Sequence, residues 1–137
     1  MEIEWRRRDL YPERPPGRSG HPSLARAPPW GTLSAINLNT GEYAWKIPFG
    51  EYPELAAKGM KDTGSENYGG PVVTAGGLVF GGSSEGYFYA LDANTGKPLW
   101  HFMAGAQIVT NPVSFLIRDK QYVAITAGLS LFVFALN

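Results

Sequence analysis

The chain has 137 residues, of which 44% are hydrophobic and 18% charged, and twelve Lys and Arg balance twelve Asp and Glu. A formal net charge of zero excludes a whole-molecule field that would attract nucleic acid or anionic lipid, so no nucleic-acid partner is expected. The absence of cysteine excludes disulfides, zinc–thiolate sites and thiol nucleophiles. The length suits one domain with a core of its own.

Residues 1–30 contain six prolines and six arginines, and no period of 2 or 3.6 lasts beyond a few residues. The segment is therefore predicted to be an irregular Pro/Arg-rich arm. Its Trp5–Arg8 cluster could contact phosphate, but adjacent acidic residues favour a solvated, self-neutralising surface. Neither an export signal nor a run of about 18 apolar residues is visible, so we expect no signal peptide and no transmembrane segment in this chain.

From residue 31 onward the pattern predicts an all-β region, 31–137. Short runs rich in Val, Ile, Phe and Tyr alternate with Gly, Asn, Asp and Pro, which is typical of strands and turns. One short helix, Pro53 to Met60, is predicted to decorate a loop. The nine predicted strands are TLSAIN, YAWKIP, VVTA, LVFGG, YFYALD, PLWHFM, NPVSFLI, YVAITA and LFVFAL.

The segment ALDANTGKPLW, Ala90 to Trp100, has the residues of a hairpin whose turn is held by side chains. Asp92 can accept hydrogen bonds from the turn amides, Thr95 can do the same through its hydroxyl, and Gly96 supplies a positive φ. Trp100 is predicted to lie over a neighbouring sheet and to donate its indole N–H to a backbone carbonyl.

This hairpin is repeated. An earlier copy runs from Ala35 to Trp45, and a third, partial copy begins at Asn111 and stops at Asn137, where its turn would start. All-strand repeats of this size indicate propeller blades. The chain then holds two to two-and-a-half four-stranded blades, whereas closed propellers need about 4–8. Exposed blade faces and strand edges call for a partner.

The pattern Ala-x-Asp-x-x-Thr-Gly-Lys-x-x-Trp, complete from Ala90 to Trp100, resembles the tryptophan-docking motif of the pyrroloquinoline quinone (PQQ)-dependent dehydrogenases, which are eight-bladed propellers. The segments APPWGTLSAINLNTGEYAWKIPFG and DTGSENYGGPVVTAGGLVFGG are similar to the C-terminal part of the membrane-type glucose dehydrogenase branch. The resemblance covers Gly20 to Asn137. It implies the last quarter or so of a quinoprotein dehydrogenase.

The resemblance implies PQQ and calcium near the propeller axis, where a carboxylate base takes the substrate hydroxyl proton as hydride moves to the quinone. In the family the base and the calcium ligands belong to earlier blades. No catalytic or metal-binding residue is therefore assigned in this chain, and binding of PQQ by this chain alone is not expected. The resemblance also implies a periplasmic location, with a sugar or alcohol substrate only in the complete enzyme.

Asn67, Tyr68, Gly69 and Gly70 resemble the family's aromatic-Gly-Gly element, which approaches the edge of the quinone. Paired glycines let backbone come close to a flat ligand and expose amide donors to its carboxylates. Alternatively, the two glycines only lead into the next strand. Trp30 is expected to pack its loop against the blade, with contact to the cofactor pocket as the second possibility.

Other polar residues suggest no site. The run KDTGSEN, Lys61 to Asn67, lacks the alternate acidic ligands and distal glutamate of a calcium loop, so it is interpreted as a polar turn. His21 and His101 each lack a second histidine at metal or catalytic spacing. His101 is expected to bond to a backbone group.

Two functions of different class follow. In the first, the chain is part of a PQQ-dependent sugar or alcohol dehydrogenase, contributes blades and one edge of the quinone site, and is inactive alone. In the second, it is a non-catalytic β module that self-associates into a pseudo-propeller, for example four copies of two blades. The partners are then either the remaining blades or copies of the chain in a homo-oligomer.

Overall fold

The structure, a computed structural model, describes the strand formed by residues 2–7 and the residues 27–136. The elements in these segments are β1 (Glu2–Arg7), β2 (Gly31–Ile36), β3 (Tyr43–Pro48), α1 (Pro53–Ala56), β4 (Val72–Val73), β5 (Leu78–Gly82), β6 (Tyr87–Asp92), β7 (Pro98–Met103), β8 (Val113–Ile117), β9 (Lys120–Ala127) and β10 (Ser130–Ala135). The ten strands form three antiparallel sheets with the orders β1-β2-β3, β4-β5-β6-β7 and β10-β9-β8.

The all-β prediction is confirmed, and each of the nine strands predicted after residue 31 is present as β2 to β10. The middle sheet is a complete four-stranded unit, and a three-stranded sheet lies on each side of it in chain order. Every strand pairs only with its neighbours along the chain.

The irregular arm predicted for residues 1–30 was wrong at its start. Glu2–Arg7 forms β1, which pairs with β2 from Glu2 opposite Ile36 to Arg7 opposite Gly31. This pairing supplies partners to the N–H and C=O groups along one edge of β2, which a sheet otherwise leaves open. Residues 8–26 of the arm, with His21, lie outside the described residues.

The predicted helix is shorter than expected, because α1 ends at Ala56 rather than at Met60. The amide of Ala57 still bonds to the carbonyl four residues before it, but those of Lys58 and Gly59 bond only three residues back. Gly59 then adopts a φ of 86°, which a right-handed helix cannot continue.

The hydrophobic core lies on both faces of the middle sheet. Since side chains alternate along a strand, Val79 and Leu91 face the first sheet, whereas Phe80 and Ala90 face the third. We call these two interfaces the first seam and the second seam. The buried residues of the first seam are Leu33, Ala35, Trp45, Phe49, Val79, Leu91 and Ala93. Those of the second seam are Phe80, Phe88, Ala90, Ile108, Val123, Ile125 and Ala127.

Trp45 joins the first two sheets. Its ring is 9% exposed, and its Nε1 donates a hydrogen bond of 2.9 Å to the carbonyl oxygen of Ala93 in the next sheet. Gly96, with a φ of 72°, lies so close that a Cβ there would be 2.7 Å from Cε3 of Trp45. The Trp45 ring therefore packs directly on the hairpin turn of the middle sheet.

That turn is built as the sequence predicts. Oδ1 of Asp92 accepts bonds from the amides of Asn94 at 3.0 Å and Thr95 at 2.8 Å, and from the Thr95 hydroxyl at 2.8 Å. The Thr95 hydroxyl is the main reason that the pKa of the Asp92 carboxyl is lowered. In the earlier copy, Oδ1 of Asn37 accepts the amide of Asn39 at 3.0 Å.

Trp100 lies against the neighbouring sheet, as predicted, but the predicted hydrogen bond from its indole to a backbone carbonyl is wrong. Trp100 is 42% exposed, and its indole N–H has no acceptor among residues 27–136. Its ring instead meets the edge of Phe134 in β10 at 5.3 Å between centroids and stacks near Phe102 at 6.2 Å. Within residues 27–136 the Trp100 ring therefore packs on side chains of strands and not on a hairpin turn like the one that Trp45 contacts.

The connections between strands gather at two opposite ends, because successive strands run in opposite directions. The hairpin end carries the short turns 37–42, 74–77, 93–97 and 118–119. The loop end carries the segments 49–71, 83–86, 104–112 and 128–129. Four of the five residues predicted to contact a cofactor lie in segment 49–71 at the loop end, and the fifth directly precedes β2.

Candidate functional site

Trp30 lies immediately before β2 and is only 3% exposed. Its amide donates to the carbonyl oxygen of Thr63 at 2.7 Å, and its ring meets that of Tyr52 edge-on at 5.9 Å. These contacts place Trp30 in the packing role that the sequence suggests. Contact between Trp30 and a cofactor stays a prediction.

Asn67 connects three segments of the loop end. Its Nδ2 donates to the carbonyl oxygens of Phe49 at 3.1 Å and Ser65 at 3.0 Å. Its Oδ1 accepts the amide of Ser84 at 3.1 Å and the hydroxyl of Ser65 at 3.4 Å. A carboxamide offers two donors and two acceptor lone pairs, so the protein itself uses the full hydrogen-bonding capacity of Asn67.

The glycine pair is packed against the segment that leads into the third sheet. A Cβ at Gly69 would overlap the carbonyl of Thr110, and a Cβ at Gly70 would lie 3.2 Å from Nδ2 of Asn111. The amide of Gly70 donates to Oδ1 of Asn111 at 2.5 Å. The close approach that these glycines permit is therefore to protein, and the Gly70 donor is already engaged.

Tyr68 lies between these two anchored positions and is 55% exposed. Its hydroxyl donates to Oε2 of Glu66 at 3.1 Å. Of the four consecutive residues predicted to approach a quinone, Tyr68 is thus the one that presents a large side chain at the surface.

The polar run before Asn67 is irregular, with a bend at Asp62, and hydrogen bonds tie it to neighbouring segments. The Glu51 carboxylate accepts the amide of Asp62 at 2.9 Å, and the Ser84 hydroxyl donates to the carbonyl oxygen of Glu66. Across residues 27–136 no three His, Cys, Asp or Glu side chains are grouped closely enough to hold a metal ion.

A cleft of about 330 Å³ lies beside α1 on the outer part of the middle sheet. His101 lies in it with its ring edge-on to Tyr87 at 5.7 Å and tilted toward Tyr89 at 6.0 Å. The histidine thus makes ring contacts where a backbone bond was expected. Burial, followed by the nearby Glu85 carboxylate, raises the pKa of Tyr89 to about 12. The lining residues are Glu51, Pro53, Ala56, Tyr87, Tyr89 and His101.

Asn111 is the residue at this end that sequence reasoning missed. It stands directly before Pro112 and β8, so it was interpreted only as the start of a predicted strand. The available signal was positional, because Asn111-Pro112 in the third repeat corresponds to Gly70-Pro71 in the second.

Comparison with known sequences decides the family. The profile of the PQQ glucose/ethanol/alcohol dehydrogenase β-propeller domain matches residues 12–123. This chain belongs to the PQQ-dependent dehydrogenase family. The prediction of a quinoprotein propeller is confirmed at this level.

Named relatives within the family are quinate and alcohol dehydrogenases. The chain is 39% identical over 111 residues to the probable quinate dehydrogenase (quinone) of Xanthomonas campestris pv. juglandis, covering 75% of this chain and 14% of that protein. It is 34% identical over 109 residues to the quinate/shikimate dehydrogenase (quinone) of Acinetobacter baylyi, covering 74% and 14%. The chain therefore spans about a seventh of the length of these relatives.

Solved structures of family members show the same fold. The europium-containing methanol dehydrogenase superposes with a TM-score of 0.57 at 37% identity, covering 78% of this chain and 16% of that one. The quinohemoprotein alcohol dehydrogenase from Comamonas testosteroni gives 0.57 at 28% identity, covering 74% and 13%. The expected glucose dehydrogenase branch is not supported, because the relatives compared are quinate and alcohol dehydrogenases.

The relatives also show which metals occur within the family. One family member is a lanthanide-dependent methanol dehydrogenase from Methylacidiphilum fumariolicum, 52% identical over 63 residues, which cover 45% of this chain and 10% of that protein. Calcium is therefore not the sole metal to consider within the family.

In the part of the chain that the structure describes, no helix has the length and apolar character to cross a membrane.

Proposed function

We propose that this chain contributes blades and one edge of the quinone site to a PQQ-dependent dehydrogenase that oxidises an alcohol or a hydroxylated ring acid. The observation that carries the proposal is the arrangement of the Asn67–Gly70 loop. There the first sheet, through Phe49, and the segments before the third sheet, through Asn111, are tied to the middle sheet. PQQ, when bound, supplies the hydride acceptor.

The residues of this loop fit contact with one side of a flat cofactor, but not its complete binding site. The exposed ring of Tyr68 can meet an aromatic ligand. The Asn67 carboxamide and the Gly70 amide are used within the protein. A metal and its ligands would come from other blades. We accordingly propose that the isolated chain has no dehydrogenase activity.

The substrate class rests on the relatives. Their names specify quinate, shikimate, methanol, ethanol and glycerol, all of which carry an oxidisable hydroxyl. We propose a hydroxyl-bearing substrate of this kind, with the complete propeller supplying the specificity loops. The periplasm is proposed as the location on the family resemblance.

Stable binding of PQQ needs the remaining blades, so the test looks for weak contact only: PQQ at millimolar concentration is mapped onto the chain by NMR, with a Tyr68→Ala variant. We expect shift changes centred on residues 67–70 in the parent chain and their loss in the variant. Tyr43→Ala is the matched control, because Tyr43 is also half-exposed but lies on β3 next to the hairpin end. Shift changes that survive Tyr68→Ala, or that lie elsewhere, would contradict the proposal.

The activity part is tested separately. The purified chain with PQQ and either Ca²⁺ or La³⁺ is expected to show no dye-linked turnover of ethanol, glycerol, quinate or glucose. Turnover above the background of PQQ alone would refute the proposed inactivity.

A self-associating β module is the second candidate, and the outer face of the third sheet favours it. Four apolar side chains on that face point away from the second seam and are more than half exposed: Val113, Ile117, Leu131 and Val133. Such a face requires cover. Light scattering distinguishes the two ways in which this face could be covered. A defined multiple of the chain mass supports self-association, and a monomer supports cover by the missing blades.

A further inference from the structure

Asn111 occupies the position in the third repeat that Gly70 occupies in the second, since each directly precedes a proline and the first strand of its sheet. Its carboxamide oxygen accepts the Gly70 amide at 2.5 Å. We propose that Asn111 is a positioning residue that fixes the Asn67–Gly70 loop and thereby the orientation of the Tyr68 ring. The inference rests on the proposed function for the meaning of that orientation.

The loop needs a second anchor. On the N-terminal side of Tyr68, the side chain of Asn67 provides the first anchor, because it bonds to the carbonyl oxygen of Phe49 after the first sheet and to the amide of Ser84. The two residues after Tyr68 are glycines, which have more backbone freedom than any other residue type. Without a bond at Gly70, rotation in this pair would swing Tyr68 about the Asn67 anchor.

Asn111 is itself held rigidly. A residue that precedes proline is confined to extended backbone, and Pro112 follows it. The preceding Thr110 bonds through its hydroxyl to the Thr126 hydroxyl at 2.7 Å and to the Thr126 carbonyl oxygen at 3.3 Å. Since Thr126 lies in β9, the position of the third sheet is transmitted to the loop.

The shape of an asparagine suits this site in two ways. Its Oδ1 accepts the amide of Gly70, and its flat carboxamide covers the Cα of the same glycine, where a Cβ would lie 3.2 Å from Nδ2 and 3.3 Å from Oδ1. Alanine would lose both contacts, whereas aspartate keeps an acceptor oxygen at the same reach.

The experiment compares Asn111→Ala with Asn111→Asp in the full chain by NMR. We expect the Gly70 amide to exchange with solvent about fivefold to tenfold faster in Asn111→Ala, as loss of one such bond predicts. In Asn111→Asp it should stay close to the parent rate. Contacts between the Tyr68 ring and Glu66 should weaken in the alanine variant alone.

The indole N–H of Trp45, bonded to Ala93 in the first seam, reports whether each variant keeps its fold. With that resonance unchanged, an unaltered Gly70 rate in Asn111→Ala, or equal acceleration in both variants, would overturn the assignment. These readouts need no PQQ. Failure of PQQ to shift Tyr68 in the parent chain would instead refute the proposed function, while the exchange rates still decide the role of Asn111.

Discussion

The two seams of this chain use the same tryptophan motif with different results. In the first seam Trp45 is buried and bonded to Ala93. In the second seam Trp100 is 42% exposed, and among the described residues it makes ring contacts, to Phe134 among others, without a hydrogen bond from its indole. The comparison shows that the tryptophan alone does not determine whether two sheets are joined. The interaction also requires a hairpin turn on the next sheet, in which a carbonyl oxygen accepts the hydrogen bond from the indole N–H and a glycine leaves room for the ring.

The sharpest test of this comparison is removal of each tryptophan. Trp45→Ala should lower the free energy of unfolding by about 3–5 kcal/mol, because it empties a packed site. Trp100→Ala should cost about 1–2 kcal/mol, because its ring is only partly covered. Urea titrations followed by circular dichroism measure both. Equal losses would show that the two tryptophans are equivalent fastenings.

Gly96→Ala tests the receiving turn. A Cβ there combines an unfavourable positive φ with a contact of 2.7 Å to Trp45, and we expect a loss of about 3 kcal/mol. Gly41→Ala is the matched control, since Gly41 has a φ of 74° with nothing within 4 Å of the added carbon. It should cost about 1–2 kcal/mol. A difference near zero between the two variants would argue against seating of Trp45 on Gly96.

Gly82→Ala tests the second seam, where a Cβ would overlap Cγ2 of Ile108. Overpacking of this kind costs about 1–3 kcal/mol. Combination with Ile108→Ala, which removes the obstructing methyl group, should recover part of the loss in a double-mutant cycle. Strict additivity of the two changes would mean that the two side chains do not meet.

The smallest effect concerns pH and the hairpin turn. Because bonds from Thr95 and Asn94 lower the pKa of folded Asp92, its carboxylate stabilises the fold above its unfolded pKa. That contribution is lost as the pH falls through the folded pKa. Asp92→Asn should therefore reduce stability at pH 7, and the difference from the parent chain should shrink below about pH 4. Asn37→Ala removes a carboxamide acceptor in place of a carboxylate at the equivalent turn position, so it should leave the pH dependence unaltered.

The strands were predictable because their signals are local. Alternation and turn residues within a few positions define β2 to β10, and the motif from Asp92 to Gly96 specifies its own hydrogen bonds. β1 was missed because its pairing partner β2 is remote in sequence and its own pattern is short. The different results for Trp45 and Trp100 depend on the next sheet, which the motif does not contain.

The position of the Asn67–Gly70 loop in the fold was predictable but its contacts were not, and its role at a quinone site stays a prediction. The sequence located the Asn67–Gly70 loop, yet the groups that occupy its polar atoms come from elsewhere in the chain: Phe49, Ser84 and Asn111. The sequence cannot distinguish an asparagine whose hydrogen bonds are all made to distant backbone groups from one whose side chain is available to bind a ligand. Asn111 escaped notice because it was interpreted only as the first residue of the predicted strand NPVSFLI.

The strictly sequential strand pairing gives the molecule the energetics of a short linear array. Among the described residues, one hydrophobic cluster joins the middle sheet to the first sheet and another joins it to the third, as in repeat proteins whose stability is a sum of unit and interface contributions. The middle sheet takes part in both interfaces, so it can open only after both have separated. Amide protons of β5 and β6 should therefore exchange most slowly, and local unfolding should begin in the outer sheets.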